Sequence, residues 1–185
     1  TEKNITEGAG LVGATITLVT VEKFSEAMDK FIAGECDIVT TDGSALVGRR
    51  AVNDALNDWS IFPQSPISKE PLGPVYRSND SMWGDVINWV VYATIIADEY
   101  GVTSANVDSV DTDAFPELGR LFGANDGELQ TVMGLSADAF YNVIKQVGNY
   151  DEIYSRNLNP VGLFREGGAN DRWTNGGLIY APPAR

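Results

Sequence analysis

The sequence predicts an α/β lobe followed by a mainly helical part, and three observations lead there. Strand and helix signals alternate through the first third of the chain. Four prolines (Pro63, Pro66, Pro71 and Pro74) then crowd one stretch, and helical periodicity dominates the rest of the chain.

The elements come in this order. Thr1-Glu2 stands just ahead of a helical stretch. Residues 14–21 (ATITLVTV) are β-branched and apolar with period-two alternation, the pattern of a strand. Residues 22–33 place Phe24, Ala27, Met28 and Phe31 at 3–4 spacing ahead of Gly34, so an amphipathic helix with a glycine stop is expected. Residues 36–40 (CDIVT) form a short apolar run suited to a buried parallel strand. Asp42 and Gly43 come next, residues 44–52 can begin another helix, and residues 59–62 suit a third strand. Strand, helix, strand, helix, strand is the order of an α/β lobe with right-handed crossovers.

Residues 62–76 read as extended, because the run Pro71-Leu-Gly-Pro74 cannot be helical. Beyond them, Ser78 or Asp80 can cap a helix with Met82, Val86, Trp89, Ala93, Ile96 and Tyr100 as its apolar positions and Gly101 as its stop. A short helix is expected over 113–122. Another, capped by Ser136, runs through Ala139, Tyr141, Val143, Ile144 and Val147 to Gly148. From Asn157 onward Gly, Asn and Pro leave little regular structure. The division is therefore an α/β lobe over 1–70, a connection over 71–77 and a helical part over 78–185.

Composition bounds the function. The 185 residues are 43% hydrophobic and 21% charged, a composition that buries a core. The formal net charge of −13 repels phosphate backbones and anionic lipid, which argues against nucleic-acid and membrane-surface roles. There is no histidine, which removes Ser-His and Cys-His catalysis and imidazole metal sites. With Cys36 as the single cysteine, neither an internal disulfide nor a cysteine metal cluster can form. No cofactor or metal is implied. The longest apolar stretch, around 86–97, is too short to span a bilayer. The chain starts without Met or a signal peptide and reads as processed or truncated at its N-terminus.

Among residues that could carry chemistry, Asp42 is the most informative. It sits where an apolar strand gives way to a helix, the crevice where open α/β sheets bind ligands. A carboxylate there suits an ammonium group, and it equally suits a helix N-cap. Thr1, ahead of a helix, offers a hydroxyl and backbone N–H groups to a carboxylate. The acidic pairs Asp111/Asp113 and Asp151/Glu152 lie in polar stretches and read as solvated surface. Trp83, Trp89 and Tyr92 read as core, and Gly167-Gly168 and Gly176-Gly177 as turns.

Several stretches resemble the polar and general L-amino-acid-binding proteins of ABC importers (solute-binding family 3, type II periplasmic-binding fold). Thr1-Glu2 resembles the end of that family's Gly-Thr-Thr-Thr-Glu loop. Residues 33–42, from Ala33-Gly-Glu-Cys to Asp42, look like its strand motif. Ile67-Ser-Lys-Glu-Pro-Leu-Gly-Pro74 with Val75-Tyr-Arg77 resembles the strand crossing back between lobes. Residues 145–154 and Gly176-Gly-Leu-Ile-Tyr-Ala-Pro-Pro183 resemble its C-terminal signature.

The resemblance implies a periplasmic receptor without catalysis, whose two lobes close on an L-amino acid and which serves the membrane permease of an ABC importer. Residues 1–70 would be lobe two and 78–185 the helical C-terminal part of lobe one, most of which is expected upstream of Thr1. Asp42 would hold the α-ammonium, with Thr1 and Thr41 close to the ligand. The arginine that grips the α-carboxylate belongs to the absent portion, and Arg77 does not match it. A disulfide partner for Cys36 would also lie upstream, and a plain buried thiol is the alternative. An uncovered lobe-one surface would favour a homodimer. The enzymatic alternative is a cyclohexadienyl or arogenate dehydratase on the same fold.

Overall fold

The computed structural model describes residues 1–56, 58–63, 66–125 and 128–185. Two compact units divide the chain, Thr1–Leu72 and Gly73–Arg185. Gln64 and Ser65, within the stretch expected to be extended, lie outside the described residues.

The first unit contains α1 (Glu2–Leu11), α2 (Phe24–Ile32) and α3 (Gly43–Asn53). The helices expected over 22–33 and 44–52 are present as α2 and α3, with their ends shifted by one or two residues. Gly34 closes α2 with φ +74°, a left-handed value that glycine adopts without a Cβ clash. The packing is sparse. Phe31 meets Trp59 edge-on at 5.0 Å, and the Arg49 guanidinium lies 5.7 Å over the Phe24 ring, tying α3 to α2. Both Asp54 oxygens accept backbone N–H groups, from Asp58 and Trp59. Among the described residues of this unit, only Ala9 and Met28 are buried.

The expected strands require a correction. Residues 14–21, 36–40 and 59–62 are non-helical, but no β-ladder joins them among the described residues. Ile16, Leu18, Val19 and Ile38 remain 37%, 41%, 53% and 54% exposed. A strand needs partners for its N–H and C=O groups, and period-two patterning does not supply them. Sequence alternation thus located the extended segments without making a sheet.

The second unit is helical: α4 (Ser81–Glu99), α5 (Pro116–Leu121), α6 (Glu128–Val132), α7 (Ala139–Val147) and α8 (Tyr150–Leu158). Asp80, not Ser78, caps α4, its Oδ1 accepting the Trp83 N–H at 3.1 Å. The helix is apolar around much of its circumference, as a central helix must be, and it packs against α7 and α8. Ala93, Ile96, Leu118, Leu121, Phe140 and Ile144 form the heart of the core, all at most 1% exposed. Trp89 and Tyr92 are half-buried and pair edge-to-face, whereas Trp83, expected in the core, is 53% exposed. Residue 83 lies in the first turn after the cap, where the helix has not yet reached its packing partners.

Helix α8 was not anticipated. Asn149 and Glu152 build a reciprocal capping box, each side chain accepting the other's backbone N–H at 2.9 Å. The same residues reach across the unit. Asn149 donates to the Val102 carbonyl at 2.8 Å, and Glu152 accepts both the N–H and the hydroxyl of Ser104. Asp151 pairs with Arg165 at 3.0 Å. The acidic pair expected on solvated surface is therefore part of the scaffold.

Burial pushes the Glu152 carboxyl up, but hydrogen bonds from Ser104 and Asn149 outweigh it and leave the group below its ordinary value. A carboxyl lowered on folding contributes stability above its unfolded-state value, and that contribution disappears as pH falls through the folded one. Glu152→Gln is accordingly expected to lower the melting temperature at pH 7 and to differ little from the parent at pH 3. Thermal melts at the two pH values check this.

Candidate functional site

All three residues predicted to touch ligand lie in the first unit. Asp42 occupies the N-cap position of α3, with φ −58° and ψ 140°. Its backbone carbonyl accepts the Leu46 N–H at 3.0 Å, as an N-cap carbonyl should. Its side chain makes no capping hydrogen bond and is exposed. The two readings of Asp42 are thereby separated: the backbone caps the helix, and the carboxylate is left over. Thr1 has the same arrangement on α1, its carbonyl accepting the Ile5 N–H at 3.0 Å while the hydroxyl stays out of the cap. Thr41, beside Asp42, is half-buried.

An exposed carboxylate at a helix N-terminus carries a specific chemistry. The first-turn N–H groups of α3 point out of the helix end and favour negative charge there. The carboxylate is left exposed there, with oxygens able to accept from a cation. Cys36, on the extended segment leading to this position, is a half-buried free thiol.

The second unit has a different concavity, missed by sequence reasoning. Val75, Tyr76, Arg77, Asp80 and Trp83 line an open cleft of about 580 Å³. Gly84 shapes it, because a Cβ built there would stand 2.5 Å from the Tyr76 ring. A glycine one turn into an otherwise apolar helix, a short distance after a tyrosine, was the available signal. None of Thr1, Thr41 and Asp42 lines this cleft.

With the geometry in view, comparison with known proteins is informative. No protein-family model matches the chain. The glutamate/glutamine/aspartate/asparagine-binding protein BztA of Rhodobacter capsulatus is 41% identical over 189 aligned positions, which take in 100% of this chain and 55% of that protein. The general L-amino acid-binding periplasmic protein AapJ of Rhizobium johnstonii is 42% identical over 171 positions, 90% of this chain and 49% of that protein. The putative amino-acid ABC transporter-binding protein YhdW of Escherichia coli is 36% identical over 189 positions, 100% of this chain and 54% of that protein.

The solved structure of a periplasmic binding protein of an ABC transporter from Brucella ovis, with glutathione bound, agrees. It superposes with a TM-score of 0.90 at 38% identity, covering 100% of this chain and 58% of that one. The chain therefore spans about half the length of the relatives it matches. Those relatives are named as binding proteins, and the dehydratase alternative finds no support among them.

The backbone geometry accounts physically for the second glycine of the C-terminal motif. A Cβ on Gly177 would sit 2.0 Å from the Asp171 carbonyl oxygen, so only glycine fits this close approach. Ile179 then donates to Asp171 at 3.2 Å and Leu178 to Ala169 at 2.9 Å. This part of the motif holds a loop in shape.

Proposed function

We propose that this chain is part of an extracytoplasmic, periplasmic receptor that captures an L-amino acid and delivers it to the membrane permease of an ABC importer. The observation that carries the reading is likeness along 90–100% of the chain, at 41% and 42% identity, to two proteins named for amino-acid binding. The first unit is the ligand-binding lobe of a type II periplasmic-binding fold. The exposed Asp42 carboxylate receives the α-ammonium, and Thr1 and Thr41 line the same site. The group that holds the α-carboxylate comes from the part of the relatives' length that this chain does not span.

Charge chemistry supports this assignment. Capturing a zwitterion takes both of its charges out of water, which is tolerable only when each finds a full partner. An oxygen-rich anion already freed from capping duty offers such a partner to the ammonium. The sparse packing of the first unit supports the same view, since its extended segments await strand partners.

The test is a chimera in which this chain replaces the matched residues of the Rhodobacter capsulatus relative. Calorimetric titration with a panel of L-amino acids is expected to show saturable 1:1 binding of at least one. A folded chimera that binds none contradicts the proposal. Hydrogen exchange gives a second expected result: amides of residues 14–21 and 36–40, fast in the isolated chain, become protected in the chimera. Unchanged fast exchange there would argue against a completed sheet.

A further inference from the structure

The last residues of the chain are held by side chains that act on their backbone. Pro182 and Pro183 have no N–H, so within 181–184 only Ala181 and Ala184 can donate. The Ala184 N–H meets a carboxylate, donating to Glu117 Oε1 at 2.7 Å. The Ala184 carbonyl in turn accepts from Arg120 Nε at 2.8 Å. Glu117 and Arg120, one turn apart on α5, thus take both polar groups of one residue, as a neighbouring strand would. Tyr100 donates its hydroxyl to Glu117 at 2.8 Å, fixing that carboxylate.

The side chain of Ala184 is 0% exposed and belongs to the core with Leu118 and Leu121. The notch accepts a methyl group, and anything larger must displace core atoms. The ligand segment is stiff before it docks. Ala181 and Pro182 each precede a proline and are confined to extended conformations, which lowers the entropy lost on binding. Backbone reading, a small side-chain pocket and a pre-extended proline segment are the parts of a peptide-recognition site.

We propose that α5, with Tyr100 beside it, forms a peptide-binding notch, occupied in cis by residues 181–184 and able to take the same segment as a separate peptide once its own is removed. Its specificity is for a residue no larger than alanine at the position of Ala184, which alone of residues 181–185 is buried.

The test uses three forms of the protein and a fluorescent peptide of residues 179–185. The full chain, whose notch is filled, is expected to leave the peptide free. A chain lacking residues 182–185 is expected to melt at least about 5 °C lower, the shift a lost contact of ordinary strength gives a unit of this size. Saturating peptide should restore most of that shift and raise the fluorescence anisotropy. The full-length variant Ala184→Leu, which cannot seat its own tail, provides a second acceptor should the shortened chain not fold. A peptide carrying leucine at the position of Ala184 should bind at least about tenfold more weakly to either.

Equal binding of the two peptides, or no binding to either acceptor, overturns the proposal. One measurement needs no variant: the Ala184 amide of the unaltered chain should exchange as slowly as core amides such as that of Leu121. Exchange at the rate of a free peptide would also overturn it.

Discussion

Replacing Asp98 by alanine is expected to destabilise the helical unit by about 3–5 kcal/mol, the cost of stripping one partner from a buried charge cluster. Asp98 is 0% exposed on α4. One of its oxygens lies 2.6 Å from an Arg165 nitrogen, and the other accepts from Arg172 at 2.6 and 3.0 Å. Arg165 is itself 5% exposed and continues to Asp151 at 3.0 Å, to the Asn170 carbonyl at 2.6 Å and over the Tyr150 ring at 4.9 Å. One carboxylate therefore pins the loop holding Arg165 and Arg172 to the central helix.

Burial works against the Arg165 charge, and the hydrogen bonds to Asp98 and Asp151 reverse that effect and raise its value above the ordinary one. Without Asp98, the guanidinium would stay in a place water reaches poorly, and the loop would have to open to hydrate it. Urea denaturation of Asp98→Ala against the parent checks the magnitude, and a loss below about 1 kcal/mol would show the pair to be dispensable. The double variant Asp98→Leu with Arg165→Met should recover most of the loss, because a buried pair replaced by apolar groups often costs little.

The second large effect concerns ligand. In the chimera with the Rhodobacter capsulatus relative, Asp42→Ala is expected to cost about 2–5 kcal/mol of binding, roughly 30-fold to several thousand-fold in Kd. The cost is large because the ligand's ammonium would enter the site with its partner missing. The fold should be indifferent to the same change. A capping aspartate lost to alanine commonly costs about 0.5–2 kcal/mol, but the Asp42 side chain makes no capping bond to lose. Loss of affinity together with an unchanged melting temperature is the expected pair of results. Affinity within about threefold of the parent would remove Asp42 from the site.

Much of this architecture was legible in the sequence, and the omissions have physical reasons. Helices α2, α4 and α7 declared themselves through 3–4 apolar spacing and stop glycines, because both signals are local, and α3 through its start after Asp42 and Gly43. The strand segments were located correctly as non-helical, but pairing is a non-local property and no pattern within residues 14–21 or 36–40 reveals whether a partner is present. Helix α8 carried a readable start signal, Asn149 three residues before Glu152. The absence of a long apolar stripe hid it.

The Asp98 cluster also left a trace. An acid directly after Ile95, Ile96 and Ala97 in an apolar helix needs a cationic partner if buried, but nothing in the chain says that Arg165 and Arg172 are the ones. The position of Asp42 at the start of α3 was legible from strand, glycine and helix signals. What the sequence left open, cap or free carboxylate, is decided by side-chain geometry.

The claim that the Asp42 carboxylate holds the α-ammonium is tested most directly by a thermodynamic cycle. Calorimetry on the chimera would compare an amino acid that binds with its α-hydroxy analogue, for Asp42 and for Asp42→Ala. The predicted result is that removing the ammonium costs at least about 100-fold in affinity with Asp42 present and less than about fivefold once it is gone, a coupling of about 2 kcal/mol or more. Equal penalties in the two proteins would contradict the account, because the ammonium would then be bound by some other group.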